Sequence, residues 1–233
     1  AMTTNGTSLP ALAAPLREAG LGRVNISLDS LRTDRFEELT RRDELPRVLE
    51  GIDAAIAVGF DPVKINVVVM RGANDDELVE FARFGRERGV VVRFIEFMPL
   101  DADQGWTHRS VVSQAEIVER IDEVFPLEAV IRTSAPASVW RYADGGGEIG
   151  VVASVTQSFC SSCDRVRFTA DGQFRNCLFA TDETDMRALL RSGSSDDDLA
   201  AALERTVAAK WAGHGINQVH FLRPRRSMSQ IGG

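Results

Sequence analysis

Three apolar, β-branched runs at residues 23–28, 63–69 and 90–96 alternate with amphipathic helical patterns, and this alternation constrains the fold more than any other feature. Runs of this length and composition predict strands buried in a parallel sheet. Helical periodicity occupies residues 9–18, residues 34–58 with a break at 42–46, and residues 74–88. In the last of these, Asn74 is placed to cap and Glu77 to reach back in a capping box. Leu78, Phe81 and Gly85 share one face, and Gly89 is placed to end the helix. Strand–helix–strand at this spacing builds βαβ units. Only residues 1–6 precede the first helix, so the chain is expected to open at the tip of a strand already begun.

Beyond Met98 the rhythm changes. Residues 101–109 are polar, and Ser113-x-x-Glu116 opens a helix that carries Ile117, Val118, Ile121 and Phe125 on one face. Short runs at 139–142, 149–155, 165–169 and 174–179 follow, with turn signals at 144–147 and 171–172, which predict antiparallel hairpins. Residues 185–191 and 196–210 are helical in pattern. The last stretch, 213–233, is weakly periodic and carries Arg223, Arg225 and Arg226. A division near residues 100–112 is expected, with an α/β part at 1–105 and a smaller α+β part at 106–233.

The net charge of −7 argues against a general nucleic-acid or membrane-surface binder, so an anionic ligand must be held by local basic residues. No apolar run approaches the roughly 20 residues that span a bilayer. The opening residues Ala1-Met2-Thr3-Thr4-Asn5-Gly6 lack the basic and apolar regions of a signal peptide, so a cytoplasmic location is expected. In a reducing compartment, clustered cysteines more often bind metal than form disulfides.

The three cysteines are clustered. Cys160-x-x-Cys163 sets two thiolates on one turn, and Cys177 follows the Asp171-Gly172 turn, which folds it back beside the pair. Such thiolates suit either an iron–sulfur centre or structural zinc, with His108, His214 or His220 as fourth ligand in the zinc case. By spacing alone the two stand level. A cubane held by three cysteines keeps one iron without a protein thiolate. Arg165 and Arg167 follow at alternate positions, on one face of an expected strand. Two guanidinium forks beside a metal centre suit a polyphosphate.

The order of these motifs resembles the radical-SAM GTP 3′,8-cyclase family of molybdenum cofactor biosynthesis. The resemblance is carried by Thr3-Thr4-Asn5-Gly6, Asn25-Ile26-Ser27-Leu28-Asp29 and Lys64-Ile65-Asn66-Val67-Val68. It continues through Arg93-Phe94-Ile95-Glu96-Phe97-Met98, Phe159-Cys160-Ser161-Ser162-Cys163-Asp164-Arg165-Val166-Arg167, Cys177-Leu178-Phe179 and the terminal Ile231-Gly232-Gly233. It implies the later part of an incomplete (β/α)6 barrel followed by a smaller α+β domain that closes its mouth. It implies that S-adenosylmethionine is cleaved to a 5′-deoxyadenosyl radical, which abstracts hydrogen from the GTP ribose before C3′ bonds to C8 of guanine. Position by position, it implies GTP contacts at Thr3, Lys64, Arg165 and Arg167, and S-adenosylmethionine contacts at Ser27 and Met98. Cys160, Cys163 and Cys177 take the place of ligands to a second 4Fe-4S cluster, whose open iron ligates the guanine. The glycine tail is expected to reach the active site. A second copy of the chain and a downstream cyclic pyranopterin monophosphate synthase complete the implied partners.

The family's C-x3-C-x2-C motif for the radical-generating cluster has no counterpart here, nor has its glycine-rich S-adenosylmethionine loop. All three cysteines are already assigned. The 233 residues are therefore expected to be a fragment that does not generate radicals alone.

Overall fold

In a computed structural model, which describes residues 1–100, 105–130, 135–211, 213, 215–216 and 221–231, the expected alternation forms. The chain runs through β1 (Met2–Thr4), α1 (Leu9–Glu18), β2 (Val24–Ser27), α2 (Thr33–Thr40), α3 (Leu45–Ala57), β3 (Val63–Val69), α4 (Leu78–Arg88) and β4 (Val91–Glu96). Then follow α5 (Gln114–Asp122), β5 (Leu127–Ala129), β6 (Ser138–Tyr142) and β7 (Glu148–Val152). Strands β1 to β4 pair in parallel in chain order. Strand β7 adds parallel to β4 and antiparallel to β6, which carries β5 at the far edge.

A strand order that advances in one direction, joined by right-handed crossovers, puts every connecting helix on the same side. One face of the sheet is accordingly core: Val24, Ile26, Ile65, Val67, Val69, Val92, Phe94, Ile149 and Val151 are buried with Leu9, Val48, Ile52, Phe81, Ile117 and Ile121 of the helices. The other face is not. Strand β3 alternates buried and half-buried residues throughout, and β4 does the same. This corrects the expectation of strands buried on both sides: a single helical layer covers only one.

The capping box expected at Asn74 and Glu77 is also absent. Asn74 Oδ1 accepts from the Met70 N–H at 2.7 Å, while its Nδ2 donates to the Asp29 and Val68 carbonyls. The fully buried Glu77 carboxylate accepts from Ser30 Oγ and Leu31 N–H and pairs with Arg35. Partners more than 40 residues away outcompete the local motif, because a buried carboxylate is tolerated only where a cation or several donors meet it. At α5 half the box forms: Ser113 Oγ accepts from the Glu116 N–H, but the Glu116 carboxylate pairs with Arg71 and Arg120. Gly89 ends α4 in the left-handed conformation, as expected.

At the end of β4 stands a second buried carboxylate, Glu96. It accepts from the Gln114 N–H at 2.9 Å, from the Val155 and Thr156 N–H groups at 2.8 Å each, and from the Thr156 hydroxyl. The hairpin of β6 and β7 is pinned by Arg86, which pairs with Asp144 and lies over the rings of Phe125 and Tyr142.

The chain divides into two compact units, Ala1–Phe97 with His108–Gln157, and Met98–Thr107 with Ser158–Gly233. Helix α5 and the β5–β7 strands, which follow the division expected near 100–112, thus belong with the first sheet, because β7 pairs with β4. The second unit holds β8 (Arg167–Phe168), β9 (Gln173–Arg175) and β10 (Thr184–Asp185) in a small antiparallel sheet, with α6 (Met186–Arg191) and α7 (Asp196–Ala208). Phe174, Met186 and Ala202 form its core with Leu189, Leu199 and Leu203. A full capping box of Ser195 and Asp198 starts α7. No helix among the described residues is long and apolar enough to cross a membrane.

Gly51 of α3 packs directly on the backbone of Gly6, which follows β1 at a φ of 83°. A Cβ at residue 51 collides with the Gly6 carbonyl. Gly51→Ala is expected to destabilise the chain by about 1–3 kcal/mol through overpacking. Gly22→Ala, where added methyl meets open space, is the control and should change stability by less than about 0.5 kcal/mol. Thermal unfolding monitored by circular dichroism compares the two.

Candidate functional site

The uncovered face of the first sheet is polar because its residues alternate with the core. Thr3, Asn25 and Lys64 are register partners across β1, β2 and β3, so they form one row. Ser27, Asn66 and Arg93 form the next row on the same face. Successive same-face rows lie roughly 6.6 Å apart along a strand. Lys64 comes early in β3, yet the stagger of the strands sets it level with Thr3. Thr3 and Ser27 are exposed, and Lys64, Asn66 and Arg93 are half-buried. Asn25 Nδ2 donates to Thr3 Oγ1 at 3.3 Å.

Burial holds the Lys64 ammonium below its ordinary pKa, and the positive charges of Arg93 and Arg23 add to the effect against the opposing pull of Glu148. The Asn66 side-chain oxygen is buried and has no hydrogen-bond partner among the described residues. Beyond Ser27, Asp29 accepts from the Val68 N–H at 2.8 Å, and desolvation raises its carboxyl to about 6 despite that bond. Asn66, Arg93 and Asp29 were not singled out from sequence as site residues. The signal for all three was polar residues at alternate positions within apolar runs.

In the second unit Cys163 and Cys177 flank the β8–β9 hairpin. Its register pairs Arg167 with Arg175. Cys163 lies four residues before the first and Cys177 two residues after the second, so both leave the same end of the hairpin. The turn at Asp171-Gly172 that brings this about closes through the Gly172 N–H to the Thr169 carbonyl at 2.9 Å. Lys210 spans the two flanks, donating to the carbonyls of Arg165 and Asn176 at 2.6 Å each. Cys160 begins a single 3-10 turn that ends at Ser162, and the Cys163 N–H returns to the Cys160 carbonyl at 3.2 Å.

None of the three thiols is in a disulfide, and each is half-buried. Burial pushes the Cys163 thiol up, but the Arg165 N–H and guanidinium, with Lys210, outweigh it and lower its pKa. Cys177 Sγ accepts from the Phe179 N–H at 3.4 Å. Arg167, which is half-buried, is lowered by desolvation and by Arg165, and is sustained by the charges of Cys177 and Cys163. Its Nη1 reaches the Ile231 carbonyl at 3.5 Å.

Arg165 does not belong to β8, which begins at Arg167, so the two arginines do not share a strand face. Arg165 is exposed and its guanidinium stacks over Phe159 at 4.8 Å. Arg165 nevertheless acts on the Cys163 thiol. Met98 is half-buried and belongs to the second unit.

The donor types suit a cluster, since none of the three thiols is in a disulfide and cations lower the pKa of Cys163. The structure does not group the three thiols as metal ligands, however: among the described residues no three His, Cys, Asp or Glu side chains are placed to hold a metal ion. Of the histidines considered as a zinc ligand, His214 and His220 lie outside the described residues, and His108 belongs to the first unit.

The class follows from comparison with known proteins. Residues 1–85 match the Radical SAM superfamily, and residues 90–216 match the family described as Molybdenum Cofactor Synthesis C. All of the chain aligns with proteins named GTP 3′,8-cyclase. It is 46% identical to that of Mycolicibacterium smegmatis, covering 66% of the relative, and 48% identical to that of Corynebacterium glutamicum strain R, covering 64%. The protein of that name from Streptomyces coelicolor is 48% identical and is covered over 69% of its length. The chain thus spans about two thirds of the length of the curated relatives it matches. It belongs to the GTP 3′,8-cyclase family of molybdenum cofactor biosynthesis, within the radical SAM superfamily.

Removing the positive neighbour of Lys64 tests the charge arrangement of the sheet's polar face. In Arg93→Met the Lys64 ammonium should lose its proton at a higher pH than in the parent chain, because like-charge repulsion is relieved. Lys64 and Lys210 are the only lysines in the sequence. Selective NMR of the lysine ε-carbons can therefore follow the change, and a downward shift would contradict it.

Proposed function

We propose that this chain is the substrate-binding portion of a GTP 3′,8-cyclase, which converts GTP to (8S)-3′,8-cyclo-7,8-dihydroguanosine 5′-triphosphate by radical chemistry. The observation that carries this reading is the hairpin of the second unit. One short β-ribbon sends Cys163 and Cys177 out of the same end, with Cys160 one turn upstream and Arg165 beside Cys163, in a chain alike throughout to proteins named for that reaction. Cys160, Cys163 and Cys177 hold a 4Fe-4S cluster. When bound, it supplies an iron without a cysteine ligand, a seat for the guanine base.

Arg165 and Arg167 bind the triphosphate. In a chain of net charge −7, a polyanion is drawn to such a local concentration of cations. On the polar face of the first sheet, Thr3 and Lys64 contact GTP. Ser27 contacts S-adenosylmethionine, as does Met98 of the second unit. Asn66 offers its unmatched oxygen to a donor on one of these ligands, since a buried acceptor without a partner costs about 1–3 kcal/mol. The sheet is read as part of a (β/α)6 barrel whose interior is this polar face.

Two measurements test the reading. After anaerobic reconstitution, the chain should bind iron and acid-labile sulfide rather than stoichiometric zinc, and titration of GTP should then show saturable binding. Arg167→Ala should weaken that binding by roughly one to two powers of ten, as expected for a charge-assisted contact of about 1.5–3 kcal/mol. Guanosine, with no phosphate, should be nearly indifferent to the substitution. Equal GTP affinity in the parent chain and in both Arg165→Ala and Arg167→Ala, with iron retained, would remove the phosphate role.

Radical formation needs a further three-thiolate set. The 233 residues contain three cysteines, all assigned to the second-unit site. The chain by itself, reduced with dithionite in the presence of S-adenosylmethionine, should yield no catalytic 5′-deoxyadenosine. Turnover detected by chromatography would show that the assignment of the thiols is wrong.

A further inference from the structure

Arg175 is the largest fully buried side chain among the described residues, 2% exposed, and the proposed function gives it no task. Its guanidinium pairs with Glu183 and donates to the Leu178 carbonyl at 3.3 Å and to the Ala180 carbonyl. Those two carbonyls lie in the loop that starts at Cys177, so the buried cation sets the path of the chain immediately after the third thiol. The Cys177 sulfur is in turn fixed by the Phe179 N–H within the same loop.

The carboxylate that neutralises Arg175 has a second cation. Arg226 reaches Glu183 through Nε at 2.7 Å and through Nη2 at 2.9 Å. It also forks onto Asp171, at 2.9 and 3.3 Å, in the turn of the β8–β9 hairpin. Asp171 accepts from Thr169 as well, and its carboxyl is held down at about 2 by Arg226 and Thr169.

Arg226 stands at the start of an ordered tail. Ser227 and Gln230 close a capping box around a single 3-10 turn, and the Met228 N–H donates to the Leu100 carbonyl at 3.1 Å. Ile231 is buried, with its carbonyl facing Arg167. The tail up to Ile231 is therefore a docked strap. Gly232 and Gly233 lie outside the described residues.

We propose that Glu183, held between Arg175 and Arg226, couples docking of the C-terminal tail to the position of Cys177, making Arg226 a positioning residue for that thiol. A buried guanidinium is stable only while its counter-charge stays in place. Arg226 keeps Glu183 there by bracing it from the tail side. Loss of Arg226 leaves Glu183 with one cation and a route to solvent, so Arg175 loosens its hold on the Leu178 and Ala180 carbonyls. The same loss frees the tail from the Asp171 turn. The relevance to a cluster rests on reading the three cysteines as its ligands, whereas the coupling itself does not.

The test uses the 233-residue chain and Arg226→Ala, Arg226→Lys and Asp171→Asn variants. In the metal-free chain, hydrogen exchange of a peptide covering 223–231 reports tail docking, and mass spectrometry reports the rates at which iodoacetamide labels Cys177 and Cys160. Arg226→Ala should speed exchange in the tail and speed Cys177 labelling severalfold while leaving the Cys160 rate unchanged. Arg226→Lys should fall between, because one ammonium cannot fork onto both carboxylates. Asp171→Asn, which spares the Glu183 contact, should loosen the tail more than it affects Cys177. In the iron-loaded chain, Arg226→Ala should lose iron to a chelator severalfold faster than the parent.

Tail release with an unchanged Cys177 rate would overturn the coupling, and an undisturbed tail in Arg226→Ala would overturn the anchor. If the parent chain takes up no iron, the ligand reading of the cysteines fails, and the labelling rates still decide the coupling. Unequal effects on Cys177 and Cys160 separate a local change from general unfolding, and Arg226→Lys serves where Arg226→Ala does not fold.

Discussion

The first unit depends on one buried carboxylate. Glu96 occupies a core-facing position at the end of β4, where the alternation calls for an apolar side chain. It is tolerated because four donors converge on it: the N–H that opens α5, two N–H groups beyond β7, and the Thr156 hydroxyl. Without them, burying the charge is prohibitive. With them, Glu96 ties the last parallel strand to the helix and strand that complete the sheet. The two places where the chain leaves this unit, after Phe97 and after Gln157, flank the clasp. Gln114 strengthens it by donating to the Gln157 side chain at 3.0 Å. Both exits from this unit thus start from a fixed point.

The same economy of layers explains why the sheet has a face to offer. Helices placed on one side by right-handed crossovers bury half of each strand and leave the other half to polar groups. Val63, Ile65, Val67 and Val69 go inward on β3, while Lys64 and Asn66 alternate with them on the opposite face. Arg93 on β4 and Asn25 and Ser27 on β2 follow the same rule. Such a surface differs from an ordinary solvated one in two respects. Lys64 is partly withdrawn from water among like charges, and the Asn66 oxygen is buried with no donor among the described residues. Both features favour a ligand that brings negative charge and hydrogen-bond donors.

Much of this was legible in the sequence, because it was written in local periodicity. Helix α1 spans the expected residues 9–18, β3 the expected 63–69, and the Asp171-Gly172 turn folds Cys177 back along the hairpin. The failures share one cause, which is tertiary competition. Asn74 and Glu77 have capping-box spacing, yet a buried Glu77 finds Arg35, Ser30 and Leu31 and abandons its helix end. Arg165 has strand spacing, but Phe159 and Cys163 draw it out of the ladder. Glu96 and Arg175 were invisible as structural residues. Neither motif nor period marks a charge that will be buried, since its partners come from distant segments.

The second unit sorts its cations by the company they keep. Arg175 and Arg226 are matched to carboxylates, Glu183 and Asp171, in bonds that shape the hairpin, the Cys177 loop and the tail. Lys210 is committed to two backbone carbonyls and fixes the hairpin's flanks. These are structural uses of charge: each cation meets an acceptor that the chain itself provides. Arg165 and Arg167 are engaged differently: Arg165 stacks over Phe159 and lowers the Cys163 pKa, while Arg167 reaches the Ile231 carbonyl and lies within electrostatic range of Arg165, Arg175, Cys163 and Cys177. Holding two guanidinium groups within range of one another is unfavourable unless negative charge lies close by. Cys163, whose pKa is lowered, and Cys177 lie within that range. The polyanionic ligand proposed above would add negative charge where these cations already crowd one another.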